Sequence, residues 1–416
     1  MNLIKGPIPT IDLNDDRDKQ VIVDKEKNRY LAHVSAVRYS VDNCIYAAYM
    51  RGHGRGQALL KKSRDFGDSW SERLKVPDTW LTLLQVPTLY EIEHANRKNQ
   101  LLMITGHLPI RSSLYDPDKE VWSDLEPIGD FGGNVSMSSL IKLPDGRYIG
   151  FFHDDGRYIN KDRNDSRFRL YKSTSDNDIR VELARSQMDD EGQWSKETLD
   201  ATTQDDSTRV WSNREVIYES YFGQKRKGDV SKIYKVIYHP ETNQWDQPEV
   251  ILSDTQAYLA EAGACLSPDG RQLLLLMRDN TRKHNSFIAT SNDYGQTWSK
   301  PVQGPTSLTG DRHIIKYTPD GRLVCVFRDT KLGSTTYGDW VAWVGRYEDI
   351  LKGRGGQYRI RLKKNYEGVD CGYSGLEIRD HTLVAMSYGH WTENEKPYIL
   401  CVKVNLDEID EFLKDT

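Results

Sequence analysis

One short motif recurs along the chain and restricts its fold more than any other feature. The eight residues from Ser63 to Trp70, SRDFGDSW, match those from Ser291 to Trp298, SNDYGQTW. Weaker copies end at Trp122, Trp194 and Trp245, so three of the four intervals between these tryptophans are 51 to 53 residues and the other is 72. A unit of about 50 residues is typical of a four-stranded blade. The repeat therefore predicts an all-β ring of blades.

A second repeated signal marks the turns inside the blades. Pro-Asp-Gly-Arg occurs at 144–147, 268–271 and 319–322, each time between two apolar runs. Proline presets φ and glycine accepts a positive φ, so each copy predicts a hairpin turn. Helical signals are confined to 346–356 and 405–416. No break in composition marks a second domain, so we expect one domain over 1–416, with 1–30 as a lead-in and 406–416 as a tail.

Charge and composition exclude several classes of function. The net charge is −5, from 57 basic and 62 acidic residues, and no basic tract stands out. Nucleic acid and anionic membranes are therefore poor candidates for partners. No apolar run approaches the roughly 20 residues of a membrane span. The sequence leaves the oligomeric state open.

The cysteines and the first residues bear on the compartment. The five cysteines are never spaced as CxxC and most lie in apolar runs, which predicts buried free thiols and neither a metal site nor another cofactor. The opening MNLIKGPIPT has no apolar core of a signal peptide. We therefore expect a cytoplasmic protein, or a periplasmic or secreted one if a leader has been removed.

The repeated motif, Ser-x-Asp-x-Gly-x-x-Trp, resembles the Asp box of sialidases, and the resemblance covers roughly residues 30 to 405. Five further segments are similar to bacterial sialidase-like proteins: GHGRG at 52–56, HDDGR at 153–157, GDRH at 310–313, GDW at 338–340 and CGYSG at 371–375. The resemblance implies a six-bladed β-propeller, with 209–245 as an alternative source of an additional blade. The Asp box itself is a structural turn and also occurs in propellers that are not enzymes.

The resemblance also implies a chemistry. Sialidases use a tyrosine nucleophile, a glutamate that accepts its proton, an aspartic acid and three arginines that bind the substrate carboxylate. Tyr373 matches the nucleophile, Glu261 the base and Arg278, 17 residues further on, the central arginine.

Other parts of the family pattern are missing. The first-blade strand reads Ala32-His33-Val34-Ser35 where the family has its first arginine, and the loop 51–56 has no aspartate. For the third arginine, Arg328 is a candidate, but Asp339 lies closer to the expected position. His and Asp residues on the loops can replace the missing acid. The candidate catalytic residues are Tyr373, Glu261, His53 and Asp155. The candidate substrate-binding residues are Arg278, Arg312, Arg55, Arg157, His313, Asp339 and Trp340.

Three functions remain open at this point. The first is a glycoside hydrolase that releases a terminal acidic sugar, by default sialic acid, from an oligosaccharide or glycoconjugate. The second is a propeller lyase or hydrolase that acts on uronic acid or rhamnose linkages with His, Tyr and Arg. The third is a carbohydrate-binding propeller without catalysis, which the many ionisable groups at strand ends oppose, because burying unpaired charge is costly.

Overall fold

The computed structural model describes residues 1–159, 166–173, 181–188, 194–201 and 214–415, and between 166 and 220 the description is confined to the backbone. Six sheets form the blades of a six-bladed β-propeller, as the sequence predicts, and their strands pair antiparallel except for one parallel pair. A further four-stranded sheet lies within an insertion in the third blade.

The first three blades follow the chain in order, and each begins with its innermost strand. Blade 1 contains Leu31–Arg38, Ile45–Arg51, Arg55–Ser63 and Leu83–Leu84. Blade 2 contains Thr88–Ile92, Gln100–Gly106, Ile110–Asp116, Val121–Trp122 and Glu126–Pro127. Blade 3 contains Asn134–Lys142, Tyr148–Asp154, Lys232–His239, Gln244–Trp245 and Glu249–Ser253.

Two of the last three blades, blades 5 and 6, also contain strands from the N-terminal segment. Blade 4 contains Leu259–Leu266, Leu273–Asp279, Phe287–Ser291 and Val302–Gln303. Blade 5 contains Gly310–Tyr317, Leu323–Asp329, Trp340–Gly345, Tyr358–Lys363, Thr10–Asp12 and Asn2–Ile4. Blade 6 contains Ser374–Arg379, Thr382–Gly389, Tyr398–Asn405 and Gln20–Asp24.

The segment 209–245 is divided between two sheets. Lys232–His239 and Gln244–Trp245 belong to blade 3. Arg214–Phe222 pairs with Ser166–Ser173, which in turn pairs with Val181–Met188, and that strand pairs with Trp194–Ala201. Residues 209–213 and the motif copy at 189–193 lie outside the described residues.

The two α-helices among the described residues are short and lie where the sequence predicts them, at Tyr347–Leu351 and Leu406–Lys414. The side chain of Asn405 caps the second helix by accepting a hydrogen bond from the backbone N–H of Asp407. The 3-10 helices of the described chain are Arg17–Lys19, Asp78–Thr82 and Thr306–Leu308. Among the described residues, no helix has the length and apolar character needed to cross a membrane.

Each blade is buried on both faces, and this explains the continuous apolar runs in its strands. In Leu273–Asp279, the side chains of Leu273 and Leu275 pack against blade 3, whereas Leu274 and Leu276 pack against blade 5. Alternation along a strand sends successive side chains to opposite faces. The described residues form six apolar clusters, one at each junction between neighbouring blades. The core is therefore a ring of interfaces, not a single centre.

The repeated motif forms the turns that the sequence predicts. The hydroxyl of Ser291 accepts a hydrogen bond from the N–H of Gly295 at 2.8 Å, and Asp293 accepts one from the N–H of Thr297 at 2.8 Å. Trp298 donates to the carbonyl of Gly295 at 3.2 Å, and its ring contacts Phe151 of blade 3. The copy at Ser63–Trp70 makes the corresponding contacts through Ser63 and Asp65. The motif thus stabilises a turn and joins two blades.

The N-terminal segment closes the ring. Gln20–Asp24 pairs antiparallel with Tyr398–Asn405 and covers the edge of blade 6 that would otherwise be exposed. Thr10–Asp12 pairs in parallel with Tyr358–Lys363 of blade 5. An open sheet edge is prone to pairing with other chains, and closure removes it.

Deleting residues 1–24 should therefore cause loss of soluble monodisperse protein and a clear drop in Tm, because it uncovers that edge and removes buried Val23. Thermal unfolding and size-exclusion chromatography measure both effects. The control is deletion of residues 1–5, which removes the mostly exposed edge strand Asn2–Ile4, keeps Ile8 packed against the cluster between blades 4 and 5, and should lower Tm much less. Equal behaviour of the two truncations would contradict this account of closure.

Candidate active site

Four of the six innermost strands have a bulge near the start, which turns one side chain toward the propeller axis. In blades 1, 4 and 5 the strand register shifts around His33, Glu261 and Arg312, and these residues have φ values of 52°, 49° and 54°. Positive φ is unfavourable for residues other than glycine and points to a local constraint. A bulge re-aims side chains that an ideal strand would direct into the blade.

The same bulge in blade 3 places Val135, with φ of 50°, against Tyr373 of blade 6 in one apolar cluster. Residues from nearly opposite blades can meet only near the axis. The strand heads therefore converge on one central site.

Tyr373 and Glu261 form the centre of this site. The Tyr373 hydroxyl donates a hydrogen bond to Oε1 of Glu261, as the sequence predicts for a nucleophile and its base. Arg278 donates from Nη1 to the same oxygen at 2.8 Å. Gly372, with φ of 90°, precedes Tyr373 and must be glycine, because a Cβ there would lie 2.5 Å from Cβ of Arg328.

The environment sets the protonation of this pair. Burial disfavours the charged form of Glu261, but the Arg278 charge and the Tyr373 hydrogen bond outweigh it, so the pKa of Glu261 lies below its usual value. Burial and the neighbouring Glu261 charge raise the pKa of Tyr373. At neutral pH the site therefore holds a neutral phenol beside a carboxylate that can accept its proton.

Asp311 organises the arginines next to this pair. It is fully buried, and it accepts hydrogen bonds from Arg282 and Arg328, with Nε of Arg328 at 2.9 Å from Oδ2. Nε of Arg278 lies 3.1 Å from Oδ1, close enough for an ion pair but not aligned for a hydrogen bond. These charges hold the pKa of Asp311 below its usual range despite burial.

A second group lies on the other side of Tyr373. The ring of His33 packs against that of Tyr373, with centroids 4.8 Å apart, and against that of His53, also at 4.8 Å. Nε2 of His53 lies 3.6 Å from Asp370. Burial disfavours the charged form of Asp370, but the nearby His53 and hydrogen bonds from two tyrosines lower its pKa below the usual value. The two tyrosines are Tyr30 and Tyr388. His53 is therefore an exposed imidazole oriented by a charged carboxylate.

Arg312 also lies next to Tyr373. Its guanidinium carbon is 5.6 Å from the centroid of the Tyr373 ring. The residue also lines a channel of about 320 Å³ along the propeller axis. Buried polar atoms without a hydrogen-bond partner among the described residues include Nη1 of Arg312, Nδ1 of His33 and Oε2 of Glu261. These three atoms give the group unused capacity to bind a polar ligand.

Asp155 and Arg157 form an adjoining cluster on blade 3. Asp155 accepts hydrogen bonds from Arg157 at 2.7 Å and from the hydroxyl of Tyr258 at 2.9 Å. His153, at the end of the preceding strand, accepts a hydrogen bond from the backbone N–H of Glu261 at 3.3 Å. The cluster is thus connected to the Tyr373–Glu261 pair through the strand that carries Glu261.

Four of the site residues predicted from the sequence have no described hydrogen bond to Tyr373 or Glu261. Trp340 is fully buried against Trp391 in the cluster between blades 5 and 6. Asp339 contacts Arg361 and the backbone N–H of Asn365. His313 is buried and bonds the carbonyl of Leu308 at 2.9 Å. The side chain of Arg55 lies outside the described residues. Among the described residues, no three His, Cys, Asp or Glu are arranged to hold a metal ion.

Sequence reasoning missed three members of the site. His33 occupies the strand position where the family's first arginine was expected, so the same comparison with the family pattern could have proposed the histidine. Asp370 directly precedes the CGYSG segment and contacts His53 only through the fold. Asp311 lies in the GDRH segment at 310–313, but its partners come from two other strands and a loop.

Comparisons with solved structures return matches of low identity. No protein-family model and no curated protein matches the chain. A protein of unknown function from Dyadobacter fermentans is 14% identical over 92% of this chain and 97% of its own, with a TM-score of 0.46. Trypanosoma rangeli sialidase is 10% identical over 95% of this chain and 61% of its own, with a TM-score of 0.45. A GH43 enzyme from Xanthomonas citri, complexed with xylotriose, is 12% identical over 82% of this chain and 88% of its own, with a TM-score of 0.37. At these identities the similarity assigns no role to any residue.

The buried histidines predict a specific loss of stability in acid. Burial lowers the pKa of His33 and His107 to about 3 and that of His153 and His313 to about 4. In the unfolded chain a histidine titrates at about 6.5, so between about pH 6.5 and 4 the unfolded state binds protons that the folded state does not. Each histidine should then cost up to about 1.4 kcal/mol per pH unit of acidification.

Between about pH 6.5 and 4, His33→Gln should make the free energy of unfolding less dependent on pH than it is in the wild type. Above about pH 6.5 the pH dependence should be the same for both proteins. Urea unfolding at a series of pH values measures the slope for both proteins. Because both proteins have the same carboxylates, the difference between their slopes of unfolding free energy against pH reports His33 alone. Equal slopes for the wild type and the variant would contradict a neutral, buried His33.

Proposed function

We propose that this protein is a glycoside hydrolase that releases a terminal acidic sugar, with Tyr373 as nucleophile and Glu261 as its base. The observation that carries the proposal is the buried hydrogen bond between the Tyr373 hydroxyl and Glu261, next to Arg278. A free phenol has a pKa near 10 and is a poor nucleophile at neutral pH. A carboxylate that accepts its proton during attack overcomes this limitation.

The reaction has two steps. In the first, the Tyr373 oxygen attacks the anomeric carbon, its proton passes to Glu261, and the bond to the leaving oxygen breaks. That oxygen needs a proton, which the imidazolium form of His53 would supply. In the second step water attacks the anomeric carbon, His53 takes a proton from the water, and Tyr373 recovers its proton from Glu261. The sugar leaves with retained configuration.

Two further features support an acidic sugar. Tyr373 is a neutral nucleophile, so a negatively charged substrate carboxylate does not repel it. An Asp or Glu nucleophile would be repelled by that carboxylate. Arg312 also supplies a guanidinium beside Tyr373 with a nitrogen that no described residue satisfies. The unpaired buried groups oppose a propeller whose only role is structural.

A second candidate, a lyase acting on a uronic acid, is favoured by His33 next to Tyr373. In such a reaction a base removes the proton from C5, the C4–O bond breaks, and the leaving oxygen is protonated. A histidine and a tyrosine in contact could share these transfers. The product would be an unsaturated uronic acid, whose ultraviolet absorbance distinguishes elimination from hydrolysis.

The nucleophile is tested with Tyr373→Phe and Glu261→Gln on a panel of aryl glycosides of acidic sugars. Tyr373→Phe should abolish turnover because the ring keeps its packing but loses the attacking oxygen, and Glu261→Gln should lower kcat by roughly 10²–10⁴. The matched control is Tyr238→Phe, which removes a buried hydroxyl bonded to Asn243 far from the site and should retain activity. An active, folded Tyr373→Phe protein would contradict the proposed mechanism.

The acid is tested by varying the leaving group. His53→Gln and Asp370→Asn should slow hydrolysis of alkyl glycosides strongly, while nitrophenyl glycosides, whose phenolate leaves without a proton, should be hydrolysed at close to the wild-type rate. Steady-state kinetics with both classes measures the difference. Equal losses on both classes would show that His53 does not act as the acid.

A further inference from the structure

Three arginines beside the Tyr373–Glu261 pair converge on one carboxylate of the protein itself. Arg282 and Arg328 each bond Asp311, and Nε of Arg278 completes the group at 3.1 Å from Oδ1. Asp311 has no exposed surface and uses both oxygens in these contacts. It comes from the start of the innermost strand of blade 5, directly before Arg312.

This arrangement leaves little capacity for a second carboxylate. The other nitrogens of Arg278 bond Glu261 and Asn280, and Nη1 of Arg328 bonds the carbonyl of Val369. A carboxylate entering the cluster would meet Asp311 and Glu261 at close range, and like charges in a buried site repel strongly. Most of the guanidinium nitrogens that face the cluster are therefore already occupied by groups of the protein itself, although the three arginines outnumber Asp311 and Glu261 by one charge.

The position of the cluster matters for the substrate. A carboxylate on the carbon that Tyr373 attacks must lie beside the Tyr373 hydroxyl, and the cation there is Arg278, which is paired with Glu261 and Asp311. Arg312, whose Nη1 is unpaired within the described residues, lies instead over the Tyr373 ring. Arg312 is thus the arginine beside Tyr373 with a free nitrogen for an anionic group on another carbon of the sugar ring.

We infer that Asp311 is an internal carboxylate that fills the arginine cluster and determines which sugars the site accepts. It excludes glycosides with a carboxylate on the anomeric carbon, such as sialosides, and leaves the site for hexuronic acids, whose carboxylate is on C5. The inference rests on the proposed function, because it takes Tyr373 as the residue that attacks the sugar.

The first test compares two substrates of the wild-type protein, an aryl α-sialoside and the aryl glycosides of hexuronic acids. A hexuronide should be hydrolysed with a kcat/KM at least about 10-fold above that of the sialoside, a difference of about 1.4 kcal/mol. Preferred hydrolysis of the sialoside, abolished by Tyr373→Phe, would overturn the role of Asp311 and leave the proposed function intact. Hydrolysis of neither acidic class would instead contradict the proposed function.

The second test empties the cluster and needs no turnover. Asp311→Ala should create an anion site, so N-acetylneuraminic acid should raise the Tm of the variant and not that of the wild type. Formate should raise the Tm of the variant by more than that of the wild type, in which Nη1 of Arg312 is unpaired within the described residues. The matched control is Asp329→Ala, which removes a buried carboxylate of the same blade that pairs with one arginine, Arg359. It should show a much smaller response.

If Asp311→Ala does not fold, Asp311→Asn keeps the volume and still removes the negative charge. Formate present during refolding should then increase the yield of folded Asp311→Asn and not that of Asp329→Asn. Equal responses of the Asp311 and Asp329 variants, or binding of N-acetylneuraminic acid by the wild type, would overturn the inference.

Discussion

Burial of both faces of every blade is the constraint on which the rest of this molecule depends. A strand such as Leu273–Asp279 sends alternate leucines into two different interfaces, so no blade can bury its surface alone. Burying a leucine fully contributes about 1.5–3 kcal/mol, and each junction contains many such residues. The energy is obtained only when the ring is complete, which is why Gln20–Asp24 must return to pair with Tyr398–Asn405.

Closure of the ring creates the site. The innermost strands of all blades run beside the axis, and their first residues meet at one end. An ideal strand would direct these side chains sideways into the blade interfaces. The bulges at His33, Glu261 and Arg312 turn them inward at the cost of an unfavourable φ, of order 1–3 kcal/mol each. The packing around them offsets that cost. The bulges thereby bring reactive side chains together near the propeller axis.

Charge balance then decides what the site can do. Glu261 remains ionised in a buried position because Arg278 and Tyr373 bond it, and this keeps a base beside a neutral phenol. Asp311 pairs with three arginines and so occupies the nitrogens that face it. Removing one member of such a group leaves a buried charge unpaired, which is far more costly than losing a surface ion pair. The ion pairs that support attack by Tyr373 therefore also limit where on the sugar a carboxylate can be bound.

The sequence by itself determined the repeat, the blades and the pairing of Tyr373 with Glu261 and Arg278, because each of these depends on local signals or on a matching family motif. The Ser-x-Asp-x-Gly-x-x-Trp turns are made within eight residues, so their hydrogen bonds can be predicted without the fold. Only the tertiary structure decided that Trp340 is buried in a blade interface, that His33 packs on Tyr373 and that Asp370 contacts His53. It also decided that Asp311 takes up the arginines, since its partners lie 17 to 33 positions away on strands and loops whose register depends on the bulges. A shift of one residue in a strand moves a side chain to the opposite face, and sequence patterns do not specify such shifts.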